Sequence, residues 1–243
     1  MPDLLRKYRE EIGDKTADAI RRLVERSRMP RNKKTYEAGA VRLDFEKSGW
    51  KGPRDISMVE FFLARFESPY AEIGRFEYKD QQSVTNPSLL PEPLVERVKG
   101  KDIIYPVRID IKDEIIRFYA GFLDKICEDT DDPQSYGQTV SEDVDIIVHI
   151  HDRLMSGKAI AESKLRNPEF ADLIRENIGD AEKLVEILRD KQQEKRVILG
   201  ARTLANGYGL NPDYAEELVR WMMDVTLRKV EVEYLRQRLG FKG

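Results

Sequence analysis

The chain has 243 residues, 36% of them charged and 40% hydrophobic, and its 42 Lys and Arg against 45 Asp and Glu leave a formal net charge of −3. That length is enough for one large domain with a buried core, and the near-balance of sign excludes the basic surplus of a nucleic-acid or anionic-membrane binder. The one cysteine, Cys127, rules out an internal disulfide and fits a reducing cytoplasm; no apolar run reaches the roughly 18 residues of a membrane span, and the Met1-Pro-Asp start carries no signal-peptide core.

Helical periodicity dominates. Leu5, Tyr8, Ile12, Ala19, Ile20, Leu23 and Val24 recur at three- and four-residue steps and predict a long first helix over 3–28, broken at Met29-Pro30. A loop around Gly49–Pro53 leads to an aromatic-rich helix over 56–75 with a bend at Pro69. Pro87, Pro91, Pro93 and Pro106 make 80–106 the long irregular connection. The alternation of Val107–Ile111 suits a short strand, but the helical pattern over 111–127 discounts it. After the acidic loop at 128–137, helices are expected over 139–166, 168–206 (interrupted near 177–179) and 212–239. Asn211-Pro212 starts the last as a cap followed by proline, and Gly240 ends it. The expected architecture is an all-α, single-domain helical bundle over 1–243, with long N- and C-terminal helices.

Several chemistries lack their residues. No glycine-rich phosphate loop is present. His149 and His151 are the only histidines; two apart on a helix, they point about 200° apart and do not share a metal. Cys127 reads as an inert packed thiol. What stands out is charge on apolar stripes. Arg9 falls between Leu5 and Ile12, Arg153 and Lys164 flank Ile160, Asp190 and Glu194 fall between Ile187 and Val197, and Glu231 falls between Leu227 and Tyr234. Unpaired buried charge is costly, so such groups must pair with one another or with a ligand. Their mix of signs suggests a polar pocket for a small anion, and periodicity carries the reading no further.

The C-terminal half resembles the larger, fungal- and plant-type chorismate mutases. Arg153-Leu-Met-Ser-Gly-Lys-Ala-Ile-Ala-Glu-Ser-Lys164 is similar to that family's Arg-Ile-His-x-Gly-Lys-Phe-Val-Ala-Glu-x-Lys helix. Val230-Glu-Val-Glu-Tyr-Leu-Arg-Gln-Arg-Leu239 is similar to its C-terminal Val-Glu-Val-Glu-Tyr-Leu-Leu-Arg-Arg-Leu. Weaker likenesses at Tyr8–Ile12, Ile20–Ser27, Tyr36-Glu37 and Gly74–Glu77 extend it, in order, along the chain. The resemblance implies an all-helical cytoplasmic homodimer that converts chorismate to prephenate, on the route to phenylalanine and tyrosine. That intramolecular [3,3] rearrangement uses no cofactor, metal or nucleophile.

The same resemblance assigns roles. Arg9 and Arg153 match the arginines on the substrate carboxylates, Lys164 the lysine at the ether oxygen, Glu194 the acceptor of the ring hydroxyl, and Glu231 a carboxyl protonated to meet the ether oxygen. Two positions depart. Asp190 replaces an asparagine and puts a carboxylate one turn from Glu194, predicting like-charge elevation of a neighbouring pKa. Leu227 replaces a threonine that contacts a substrate carboxylate; Thr226 is adjacent but about 100° round an α-helix. Of the family's aromatic amino acid effector site at the dimer interface, Arg75 of an arginine pair remains. Gly137, Gln138 and Ser141 stand in for the Gly-Ser-x-x-Thr segment, so weak or absent tyrosine and tryptophan control is expected. The alternative is a non-catalytic dimeric binding protein that keeps the fold, favoured by Leu227 and Asp190 and opposed by the intact charged set.

Overall fold

The computed structural model describes residues 4–96 and 104–241, which are helical apart from their connections, with an isolated bridge between Pro30 and Glu128 the one β-type pairing among them. α1 (Leu4–Arg26) buries Ala19, Ile20, Leu23 and Val24 along its core-facing stripe. It ends on Arg26, which is fully buried, pairs with Asp143 at 2.6 Å and donates to the Pro30 and Arg31 carbonyls. The Tyr119 hydroxyl donates to the same carboxylate at 2.8 Å. Removing either charge leaves its partner unpaired in the interior, a loss of about 3–5 kcal/mol.

A one-turn α2 (Phe45–Ser48) precedes α3 (Met58–Glu72), which opens with a capping box between Ser57 and Glu60 and is shorter at both ends than its periodicity suggests. Buried Glu67 on α3 accepts the Val84 and Thr85 backbone N–H groups, both at 2.8 Å, and so holds the described part of the irregular 80–106 connection. Val107, Ile109 and Ile111 are buried alternately but have no partner strand; the Val107 carbonyl instead accepts from Lys158 at 2.8 Å. α4 (Lys112–Ile126) follows.

The expected 139–166 helix is two elements, α5 (Tyr136–Met155) and α6 (Gly157–Arg166), meeting at Ser156. The expected 168–206 helix is three: α7 (Pro168–Glu176), α8 (Ala181–Leu188) and α9 (Lys191–Tyr208). The break at 177–180 agrees with the sequence reading, and the one at 189–190 is new. Asn167, Asp180 and Asp190 each cap the helix that follows through a side-chain oxygen. Asp190 is therefore a capping residue in extended conformation rather than part of a continuous stripe with Ile187.

The C-terminal helix runs without a gap through α10 (Pro212–Val225), a π-helical segment (Thr226–Glu231) and α11 (Val232–Arg238), with Gly240 at φ 71° past its end. One buried apolar cluster joins residues from α1 to α11. Within it α1 packs on α5, α6 and α9, α10 on α9, and α6 against the π segment. That last contact is close enough to require glycine: a Cβ on Gly157 would meet Thr226 Cγ2 at 2.6 Å. Among the described residues no helix is long and apolar enough to cross a membrane.

Candidate active site

The charges read as misplaced on apolar stripes converge. Arg9 from α1, Arg153 from α5, Lys164 from α6, Asp190 and Glu194 from the start of α9, and Glu231 from the π segment line one cavity of about 110 Å³. Ile12, Ile160, Leu188, Val197, Met223 and Leu227 supply its apolar wall. It adjoins a larger cavity of about 750 Å³ that shares Arg9, Lys164, Leu188, Arg189 and Asp190. Another cavity of about 450 Å³, under the 76–93 segment, contains none of these six charges.

Arg153 is 3% exposed and has no carboxylate partner among the described residues. It donates to Thr226 Oγ1 at 2.6 Å and, at 3.4 Å, to Thr16 Oγ1 and the Met222 carbonyl. Burial pulls its guanidinium down to about 10, with Glu231 opposing, so it is a cation at neutral pH, and its hydrogen-bond acceptors among the described residues are neutral. A planar guanidinium in that state is a ready site for a carboxylate.

Lys164 Nζ donates to Glu231 Oε2 at 2.8 Å and to the Leu188 carbonyl at 2.7 Å. Both side chains are buried. Burial pushes the Glu231 carboxyl above the usual carboxylate range, against the opposing pull of Lys164, Arg153 and Arg9. The pair thus presents an ammonium and a carboxyl biased toward its protonated, donating form at one point of the cavity.

Asp190 divides its oxygens: Oδ1 accepts the Gln193 N–H at 3.0 Å and Oδ2 accepts from Arg9 Nη2 at 2.9 Å. The Gln193 and Gln192 N–H groups and Arg9 hold its carboxyl below its ordinary pKa. Asp190, expected one turn from Glu194, lies there, its carbonyl accepting the Glu194 N–H at 2.9 Å. Asp190 is neutralised by the helix start and Arg9, while Glu194 Oε1 lies 3.1 Å from Arg189 Nε.

Thr226 and Leu227 both line the cavity. A regular α-helix would set them about 100° apart; the i→i+5 winding of a π segment widens the turn and lets both neighbours face inward with Glu231. The side chain that meets Arg153 is Thr226. Sequence reasoning missed this segment, as well as Arg189 and Gln193, which also line the cavity. The only available signal for Arg189 was its place beside Asp190.

The regulatory candidates do not come together within one chain. Arg75 donates to Asp152 Oδ2 at 2.6 Å and to Gln81 Oε1 at 3.1 Å, near the C-terminal end of α5. Gly137, Gln138 and Ser141 are exposed on its first turns, and the 11 residues from Ser141 to Asp152 span about 16 Å of helix. Cys127 is half-buried, accepts from Arg26 and has a thiol pushed up by burial, in keeping with a packed thiol. Among the described residues no group of three or more His, Cys, Asp and Glu side chains is placed to hold a metal.

No protein-family model matches the chain. Curated relatives do. The chorismate mutase of Schizosaccharomyces pombe is 30% identical over 234 residues, covering 89% of this chain and 88% of that protein. The cytosolic chorismate mutase 2 of Zea mays is 29% identical over 239 residues, covering 89% and 88%. Among solved structures, the tryptophan-bound chorismate mutase of Candida albicans superposes with a TM-score of 0.87 at 20% identity, covering 100% of this chain and 97% of that one. The chloroplast enzyme of Zea mays gives 0.84 at 22% identity, covering 98% and 96%. At those identities the structures speak to the fold, which is the same all-helical one.

Proposed function

The chain belongs to the chorismate mutase family, and from that premise we propose how its residues carry the reaction. It is an isomerase that converts chorismate to prephenate by an intramolecular [3,3] rearrangement, the step that commits chorismate to phenylalanine and tyrosine. In that reaction one C–O bond breaks as one C–C bond forms within a single molecule. No group is transferred, and the protein's task is to hold the reactive chair conformer and stabilise charge developing on the ether oxygen.

The observation that carries this reading is the charge balance of the cavity. Arg9, Arg153, Lys164 and Arg189 face Asp190, Glu194 and Glu231, four cations against three carboxyls of which burial biases Glu231 toward its neutral form, so the cavity carries a positive surplus suited to a dicarboxylate. Arg153 takes one substrate carboxylate, for which it has no competing anion among the described residues, and Arg9 takes the other in exchange for Asp190. Lys164 and protonated Glu231 converge on the ether oxygen, where each preorganised donor is worth about 10²–10³ in rate. Glu194 accepts the ring hydroxyl, and Thr226 keeps Arg153 in place. Purified protein alone is expected to consume chorismate, followed as loss of its ultraviolet absorbance, and to accumulate prephenate without added metal or nucleotide. Folded protein with no turnover above background refutes the reading.

We also propose that the chain, a single domain, acts as a cytoplasmic homodimer. The apolar side chains Phe62, Ile73, Leu94 and Val95 support this, since all are exposed and exposed apolar strips favour association. The Leu94 N–H bonds to the Glu72 carbonyl at 2.8 Å, which sets Leu94 and Val95 beside the end of α3. The cytosolic relative from maize supports the compartment. Sedimentation at micromolar concentration should give twice the chain mass, and a monomer overturns the assembly. Because Arg75 is engaged by Asp152 and Gln81, tyrosine and tryptophan are expected to leave the rate nearly unchanged. Strong inhibition by the one with activation by the other contradicts this.

A further inference from the structure

Arg189 belongs to no motif singled out in the sequence, yet it lines both the site cavity and the larger cavity beside it. It is the residue after α8, in extended conformation at φ −72° and ψ 128°, and Asp190 beside it caps α9. These two neighbours act on opposite partners. Asp190 holds Arg9, while Arg189 places Nε 3.1 Å from Glu194 Oε1 and Nη2 3.6 Å from Asp224 Oδ1 on α10. Arg189 Nε is buried, and its N–H does not point along a hydrogen bond to Glu194. The contact is therefore a charge pairing that fixes the carboxylate without saturating it. The Glu194 carboxyl lines the same cavity.

We propose that Arg189 is a positioning residue for the rearrangement: it holds Glu194 through Oε1 so that the side chain is presented to the ring hydroxyl of the substrate. This rests on the reading of the cavity as the chorismate site, and it adds a residue to that site. The geometry favours it over a plain surface ion pair, because Arg189 lines the cavity and links the first turn of α9 to α10. Glu194 alone is a long side chain with about three rotatable bonds, and ordering it consumes side-chain entropy that a fixed partner removes beforehand. Asp224 also accepts from Arg228 at 3.0 Å, so the far anchor of Arg189 is itself held.

The test is a double-substitution cycle on kcat/KM for chorismate with Arg189→Met and Glu194→Gln, with thermal midpoints measured throughout. Arg189→Met is expected to lower kcat/KM about fivefold, and Arg189→Lys to recover part of that loss. Glu194→Gln is expected to cost correspondingly less in the Arg189→Met background than in the parent, because paired groups are not additive. Arg189→Gln gives the same reading should the methionine variant prove unstable. The proposal is overturned if the neutral variants stay within twofold of the parent, if lysine recovers nothing, or if the two losses simply multiply. A parent chain that turns over no chorismate would instead remove the reading of the site itself.

Discussion

Arg9 is paired with Asp190, and replacing Asp190 by asparagine should release it. The Arg9 Nη2 to Asp190 Oδ2 contact is 2.9 Å, with side chains 31% and 38% exposed. At that exposure an ion pair is worth about 0.2–1 kcal/mol. A substrate carboxylate that must displace Asp190 forfeits that amount, so Asp190→Asn should lower KM by a factor of about 1.4 to 5. The substitution isolates the charge, because asparagine caps a helix about as well as aspartate and can still accept the Gln193 N–H. Asp190→Ala would confound the two effects by also losing about 1 kcal/mol of capping. Initial rates over a range of chorismate concentrations give KM, and a denaturant titration verifies that stability is unchanged. An unchanged or higher KM with stability preserved refutes the competition and makes Asp190 a substrate ligand instead.

Other outcomes follow from the same geometry. Burial raises the Glu231 pKa and the protonated form is the donor, so kcat/KM should fall as pH rises through that raised value, and Glu231→Gln should flatten the pH profile. A native carboxyl easier to protonate than in the unfolded chain also means that its contribution to stability is lost as pH rises through the same range; a variant that keeps the parent profile removes Glu231 from the role. Gly157→Ala drives a Cβ to 2.6 Å from Thr226 Cγ2 and 3.2 Å from Val230 Cγ1. This should cost about 1–3 kcal/mol of overpacking, and chemical denaturation showing no loss contradicts the close approach. Thr226→Val deletes the 2.6 Å contact to Arg153 and should lower kcat/KM about fivefold, for about 1 kcal/mol of hydrogen bond; an unchanged rate would show that Arg153 needs no help from Thr226.

What was legible in the sequence divides by physical cause. Arg153, Lys164 and Glu231 were readable because each puts charge where helical spacing asks for an apolar side chain, and the structure buries all three in one cavity. The ends of the last helix were readable because Asn211-Pro212 and Gly240 have local conformational reasons to be there. The break at Arg189–Asp190 was not, because Ile187, Asp190, Glu194 and Val197 also fit an unbroken helical step, and only the capping bond from Gln193 separates the two. The π segment escaped for a related reason: it changes the winding without any residue type that marks it, so Thr226 read as turned aside from the site it lines. Arg75 was legible as a residue, but its pairing with Asp152 depends on how two distant helices pack.

The most direct test of the site is Arg153→Ala, assayed for chorismate turnover alongside the parent with circular dichroism to confirm the fold. The side chain is buried, has only neutral acceptors among the described residues and is the cation assigned to a substrate carboxylate. Loss of at least about 10²-fold in kcat/KM with the helical signal intact is the expected result. A folded variant that keeps activity within about tenfold of the parent, a difference of about 1.4 kcal/mol, contradicts the placement of substrate in this cavity.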